Sequence, residues 1–283
     1  MDLIYKVSDL RTAVEQARSE GKRIGFVPTM GALHDGHASL VQRAIQETQF
    51  VVVSVFVNPL QFGEGEDFDK YPRALGVDAN LLGELGADVL FAPSAQEVYP
   101  KDNPIAQLSA GELGRVFEGK SRPGHFDGML TVVNRLLNLV APDAVFFGAK
   151  DAQQVALVRR MLAEQTASGQ RSPIRLIECE TIRDEHGLAL SSRNRFLSPA
   201  EVEVARTISA SLIAGSKHSS AAEAKAAAME VLSAEAKLDY LELVEADSFE
   251  VLDSAEGKKA RLILACTVGE TRLIDNLVID RTA

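Results

Sequence analysis

Cysteine is nearly absent: the 283 residues contain two, Cys179 and Cys266, far apart and outside any Cys-x-x-Cys pair. That excludes a disulfide framework and a cysteine metal site, and it fits a reducing cytoplasm. Long apolar runs are also missing. No stretch approaches the roughly 20 apolar residues of a membrane span, and the amino terminus from Met1 to Ser8 carries Asp2 and no apolar core. Neither export nor membrane insertion is expected. Basic charge is in deficit, with 30 Lys and Arg against 40 Asp and Glu for a formal net charge of −10. Phosphate backbones are gripped by clustered Lys and Arg, so a nucleic-acid partner is not expected. No His-Glu-x-x-His pattern occurs, and no Gly-x-Gly-x-x-Gly follows the first apolar strand, which argues against a zinc hydrolase and a nicotinamide dehydrogenase.

What is present is an ordinary globular mixture, 46% hydrophobic and 25% charged, long enough for a full core and at the size where a second domain forms. Ser8 reads as the cap of a helix carrying Leu10, Val14 and Ala17 on one side, stopped at Gly21. Ile24 to Val27 then reads as a strand, His37 to Thr48 as a helix and Phe50 to Val57 as a strand covered on both faces. Helices near Ala74–Leu85, Met129–Val140 and Ala152–Gln165 alternate with strands at Asp88–Phe91, Ala144–Phe147 and Ile174–Cys179. Such alternation predicts an α/β fold with a doubly wound, mostly parallel Rossmann-like sheet, whose ligands bind beyond the carboxyl ends of the strands. After about residue 180 the pattern changes. Helices near Ala200–Ala214, opened by Ser198-Pro199, and near Ser220–Ala234 precede strands at Lys237–Ala246, Ala260–Val268 and Thr271–Ile279. The expected division is 1–180, a nucleotide-binding domain, and 181–283, a smaller α+β domain packed closely on the first and covering its active site.

The most informative segment is Pro28-Thr29-Met30-Gly31-Ala32-Leu33-His34-Asp35-Gly36-His37, a glycine-punctuated turn between a strand and a helix. Gly31 and Gly36 are expected to let the backbone approach a ligand, while the new helix end presents unpaired N–H groups that attract phosphate. If the helix has begun by His34, the two imidazoles share a face and point at one oxygen-rich ligand. The competing reading makes one histidine a cap and the other a surface residue. Zinc is the rival use of such a pair, but it needs a third protein ligand that the pattern does not supply; no protein metal site is expected.

Three further loops carry chemistry. Asn58-Pro59-Leu60-Gln61-Phe62 follows the most apolar strand, and Gln61 offers a donor and an acceptor for a hydroxyl or carboxylate. The polar segment Gly63 to Tyr71 beyond it reads as a gate. Phe147-Gly148-Ala149-Lys150-Asp151-Ala152-Gln153-Gln154 repeats the strand, turn and helix arrangement, with Asp151 as cap, Lys150 at the ligand edge and Gln154 near it. Leu190-Ser191-Ser192-Arg193-Asn194 sets two hydroxyls and a phosphate-gripping guanidinium in a loop. Arg122-Pro123-Gly124-His125-Phe126 is a rigid basic loop that fits a structural turn, a subunit contact or a substrate contact equally.

These motifs together, with Phe56-Val57-Asn58-Pro59-Leu60-Gln61-Phe62, Tyr71-Pro72-Arg73, Ser121 to Phe126 and Gly187 to Asn194, make the chain resemble the pantothenate synthetase (pantoate–β-alanine ligase) family of the nucleotidyltransferase superfamily. The resemblance is close to about residue 197 and looser beyond, chiefly at Leu273-Ile274-Asp275-Asn276. It implies ATP-dependent joining of pantoate to β-alanine through a pantoyl adenylate, with release of pyrophosphate and AMP. It implies ATP contacts from Met30, Gly31, Ala32, Leu33, His34, Asp35, Gly36 and His37, from Gly148, Ala149, Lys150 and Asp151, from Ile182 at the adenine, and from Leu190, Ser191, Ser192 and Arg193. His37 is the catalytic histidine, seconded by His34, Lys150 and Arg193; Gln61 and Gln154 bind pantoate. Magnesium is expected only through the phosphates, and the family suggests a homodimer. One departure is Ala149, where many members carry glutamate; the change is minor if the loop works through its backbone and Lys150, and weakens ATP binding if a carboxylate must order Lys150.

Chemistry agrees with that implication. Pantoate's carboxylate is already ionised near neutral pH, so its attack on the α-phosphorus needs no protein base, only positioning and charge stabilisation. The adenylate must then be shielded from water, a task for the expected gate. Two alternatives stay open at this point: a His-x-x-His nucleotidyltransferase that adenylylates a phosphorylated small molecule, whose acceptor site would be more basic, and a nucleotide-sensing module that releases no pyrophosphate.

Overall fold

The computed structural model describes residues 1–63, 68, 71–102 and 105–282. The chain divides into two compact units, one of Met1–Gly148 with Leu157–Cys179, the other of Ala149–Ala156 with Glu180–Ala283.

The first unit is a six-stranded sheet in the order β1-β4-β3-β2-β5-β6, built from β1 (Asp2–Ile4), β2 (Ile24–Thr29), β3 (Phe50–Val55), β4 (Val89–Phe91), β5 (Ala144–Gly148) and β6 (Arg175–Cys179). Every pairing in it is parallel. Its helices are α1 (Val7–Ser19), α2 (Asp35–Glu47), α3 (Leu75–Leu85), the single turns α4 (Ala95–Val98) and α5 (Glu118–Ser121), then α6 (His125–Val140) and α7 (Ala152–Ala167), whose first residues group with the second unit. From β2 the chain steps through α2 and α3 toward β4; the steps through α1, α6 and α7 run the opposite way along the sheet. Right-handed crossovers therefore put α2 and α3 on one face and α1, α6 and α7 on the other. Burial on both faces explains the uninterrupted apolar run of β3, whose Val51, Val52 and Val53 are at most 1% exposed. The reversal of direction falls between β2 and β5, which are hydrogen-bonded neighbours. In such sheets that is where ligands bind.

The second unit packs α8 (Pro199–Gly215) and α9 (Ala221–Val231) on an antiparallel sheet of β7 (Lys237–Glu245), β8 (Lys259–Val268) and β9 (Thr271–Asp280). Ile208, Leu212, Ala224, Ala228, Leu243 and Leu262 form its core. Ser198 caps α8 in a reciprocal box with Glu201, as the Ser-Pro start predicts. Both cysteines are buried, and loss of hydration pushes each thiol up to about 11. Among the described residues no helix is long and apolar enough to cross a membrane.

Four expectations shift. The strand β1 has no counterpart in the sequence pattern; only Ile4 of its three residues is buried, so nothing announces it. Helix α1 is capped at Lys6 rather than Ser8, because the Val7 N–H finds the Glu97 carboxylate at 2.8 Å. Helix α6 begins at His125, four residues before the expected Met129, after Gly124 in the left-handed region at φ 79°. Strand β3 ends at Val55, two residues short of Val57.

Candidate active site

The strand β2 ends at Thr29, and the turn that follows is held from two sides. Thr29 Oγ1 donates to the Ser54 carbonyl at 2.7 Å and accepts from the Gly31 N–H at 3.2 Å. The Asp78 carboxylate, 1% exposed in the first turn of α3, accepts from the N–H groups of Ala32 at 3.1 Å and Leu33 at 2.9 Å. That grip holds Ala32 at φ 52°, in the left-handed region that residues with a Cβ avoid. Sequence reasoning missed Asp78, whose role depends on a contact 46 positions away.

Gly31 is at φ +87°, and a Cβ there would lie 2.8 Å from Val55 Cγ1 and 3.1 Å from Asp78 Oδ2. Gly31→Ala is expected to destabilise the protein by about 2 to 4 kcal/mol, from left-handed strain plus overpacking. Thermal unfolding checks it; an unchanged melting point would show that the turn has slack. Gly36, by contrast, is the second residue of α2 and has no positive φ, so its expected backbone freedom is not used.

His34 precedes α2 as its N-cap, and the two histidines cap the helix reciprocally. His34 Nδ1 accepts from the Gly36 N–H at 3.1 Å, and His37 Nδ1 accepts from the His34 N–H at 3.4 Å. The rings lie 4.2 Å apart by centroid, tilted by 50°. A backbone N–H can only donate, so each Nδ1 is unprotonated and the ring proton is on Nε2. Capping and chemistry are thus compatible: the cap uses only one nitrogen of each ring.

Beyond β3, Gln61 ends a short 3-10 turn, Pro59–Gln61, with 7% of its surface exposed. Its Nε2 is 3.0 Å from Met30 Sδ, which joins it to the histidine turn. The basic loop is bonded to itself and to the Gln61 turn. Arg122 NH1 and His125 Nε2 are 3.0 Å apart, and His125 Nδ1 meets the Gln61 carbonyl at 2.8 Å. Since that carbonyl only accepts, Nδ1 carries the proton and Nε2 accepts from Arg122. Of the expected gate, residues 64–67, 69 and 70 lie outside the described residues; Phe62 stacks edge-on with Phe68 and Tyr71 at 5.3 and 6.0 Å.

The remaining candidates, apart from Gly148, belong to the second unit. Ala149–Asp151 form a 3-10 turn entering α7, with Lys150 Nζ 3.3 Å from Asp151 Oδ1 and Gln154 half-buried in the first helical turn. Asn276 of β9, 6% exposed, donates from Nδ2 to the carbonyls of Ala149 at 2.9 Å and Lys150 at 3.0 Å. Its Oδ1 accepts from Arg261 at 2.9 Å. The loop is therefore held through its backbone, so a side chain at position 149 is not needed to fix it. Arg183 grips Asp275 in two hydrogen bonds of 2.6 and 2.9 Å and also reaches the Gly187 carbonyl at 3.1 Å. This anchors the hairpin in which the Leu190 N–H bonds the Ile182 carbonyl at 2.9 Å. Ser192–Phe196, expected as a loop, is a 3-10 helix capped by Ser191, whose Oγ accepts from the Arg193 N–H at 3.3 Å. The Asp275-Asn276 pair is what the looser C-terminal resemblance preserved.

The family model for pantoate-beta-alanine ligase matches residues 2–278. The chain belongs to the pantoate-beta-alanine ligase family. It is 46% identical to the pantothenate synthetase of Pseudomonas fluorescens strain Pf0-1, over 98% of this chain and 97% of that one. It is similar to the crystal structure of pantothenate synthetase from Thermus thermophilus, with a TM-score of 0.90 and 44% identity over 99% of this chain and all of that one. Its likeness to the pantoate-beta-alanine ligase of Francisella tularensis, solved with beta-gamma ATP and beta-alanine, has a TM-score of 0.79 at 35% identity, covering 98% of this chain and 97% of that one. Membership of a pantoate-beta-alanine ligase family makes the chain a ligase, and the parallel sheet with a separate antiparallel three-stranded sheet is the fold of those relatives.

Proposed function

We propose that this ligase condenses pantoate with β-alanine in two ATP-dependent steps. The pantoate carboxylate attacks the α-phosphorus of ATP and expels pyrophosphate; the amine of β-alanine then attacks the acyl carbon of pantoyl adenylate and releases AMP. The observation that carries the reading is the pair His34 and His37. Each of the two imidazoles has its Nδ1 accepting from a backbone N–H at the start of α2. Imidazoles fixed in this way beside a helix N-terminus suit the stabilisation of charge that develops on a leaving pyrophosphate. His37 is assigned the larger share, seconded by His34, Lys150 and Arg193.

The ATP contacts are assigned to residues 30–37, 148–151 and 190–193, with Ile182 at the adenine. Gln61 and Gln154 are assigned to pantoate, since neutral amides read hydroxyls and carboxylates without adding charge. Residues 1–180 then carry nucleotide and pantoate binding, and 181–283 the nucleotide loops beyond β6. Magnesium would enter with the ATP substrate, held by its phosphates, and would offset part of the charge that moves onto pyrophosphate. A homodimer is the working assembly that the family resemblance implies, and the scarcity of cysteine fits a reducing cytoplasm.

End-product analysis tests the reading. With ATP, pantoate and β-alanine, AMP, pyrophosphate and pantothenate should appear in equal amounts. Turnover with phosphopantetheine or nicotinamide mononucleotide in place of pantoate would favour the nucleotidyltransferase alternative instead.

A further inference from the structure

Asn58 is fully buried as the cap of the Pro59–Gln61 turn, and every polar atom of its amide is committed. Its Oδ1 accepts from the Leu60 N–H at 3.2 Å, and its Nδ2 donates to the Gly128 carbonyl at 3.1 Å. Those backbone groups have one role each, so they fix which end of the amide is oxygen. Two consequences follow. The Tyr99 hydroxyl, 2.8 Å from Oδ1, must be the donor in that contact. The Gln61 atom 3.1 Å from Nδ2 must be its oxygen, Oε1, which turns Gln61 Nε2 away from Asn58 and toward Met30.

From this chain we infer that Tyr99 is a positioning residue for the acid substrate, acting through Asn58 to hold the Gln61 amide with its N–H₂ presented as a donor. The inference rests on the assignment of Gln61 to pantoate. Gln61 then reads an acceptor oxygen of pantoate, which replaces Met30 sulfur, a weaker acceptor. Tyr99 suits the task. Its phenol is raised well above the usual tyrosine range by burial, so it stays protonated and donating throughout the working pH.

The backbone of the Pro59–Gln61 turn is held independently, by His125 at the Gln61 carbonyl and by close packing at Gly128, where a Cβ would lie 2.0 Å from the Leu60 carbonyl oxygen. Loss of the Tyr99 hydroxyl removes one of the two donors on Asn58 Oδ1 and so loosens the Asn58 and Gln61 side chains without releasing the turn. A site built to hydrogen-bond a hydroxyl rejects analogues that lack it, and a loosened amide loses part of that discrimination.

The test is Tyr99→Phe, assayed with pantoate and with its two mono-deoxy analogues, one lacking the 2-hydroxyl and one the 4-hydroxyl. The KM for pantoate should rise about fivefold to tenfold, and kcat/KM discrimination against one analogue should shrink about tenfold, while the KM for ATP changes less than about twofold. Unchanged pantoate KM and discrimination in folded Tyr99→Phe, or an equal rise in the KM for ATP, overturns the inference. Asn58→Asp, which keeps the acceptor for Leu60 but cannot donate to Gln61, should reproduce the loss if Tyr99→Phe does not fold. Gln61→Ala separates the two layers of argument. If it leaves the pantoate KM unchanged, the assignment of Gln61 fails; if it raises that KM and Tyr99→Phe does not, only the positioning chain fails. In the double variant, Tyr99→Phe should add nothing to Gln61→Ala, and additive losses would show that Tyr99 acts elsewhere.

Discussion

His37→Ala is expected to slow pantoate-dependent exchange of labelled pyrophosphate into ATP by about 10² to 10³-fold, the usual effect of deleting one preset donor to a developing oxyanion. The exchange assay isolates the adenylate step, because it needs no β-alanine. The same substitution removes half of the reciprocal cap, since His37 Nδ1 accepts from the His34 N–H. Loss of a cap costs about 0.5 to 2 kcal/mol of stability and leaves a folded protein. The rate should therefore fall far more than the melting point. Exchange at the wild-type rate in folded His37→Ala would remove His37 from the mechanism, whereas a melting point that collapses in parallel would reduce its role to capping.

Asp275→Ala should produce the largest loss of stability in the second unit. The Asp275 side chain is 3% exposed and takes two hydrogen bonds from Arg183, and its Oδ1 also accepts from the Asn276 N–H at 2.8 Å. Removing it leaves a guanidinium in a largely buried position without its carboxylate. Breaking such a pair costs about 3 kcal/mol or more, which corresponds to a melting point lower by roughly 6 to 12 °C. The hairpin 182–190 loses its anchor on β9, so the KM for ATP should rise as well. Glu20→Ala, which breaks the solvent-exposed pair with Lys22, is the control and should leave the melting point unchanged. Equal effects of the two variants would contradict the structural role given to Asp275.

The alternation of sheet and helix was legible because parallel strands buried on both faces leave uninterrupted apolar runs such as Phe50–Val55. Elements whose stability comes from distant partners left no such trace. The start of α1 is set by Glu97, 90 positions from Val7, so the local signal at Ser8 misled. At the site, the glycine turn and the His-x-x-His spacing were visible as a pattern, but not the tautomers, which depend on backbone N–H groups meeting each Nδ1. Asp78 and Tyr99 were silent for the same reason, and Asn276 stood out only through the resemblance at Leu273-Ile274-Asp275-Asn276. Each acts on residues between 41 and 127 positions away, and nothing near them in sequence distinguishes a buried structural carboxylate, phenol or amide from a surface one.

The central claim is that the pantoate carboxylate attacks the α-phosphorus of ATP. Pantoate labelled with ¹⁸O in its carboxylate tests it directly, because the oxygen that bonds phosphorus stays with AMP when β-alanine displaces it from the acyl carbon. Mass analysis after turnover should find one ¹⁸O in AMP and none in pyrophosphate. Unlabelled AMP, or label in a phosphate released from the β- or γ-position, would contradict the account.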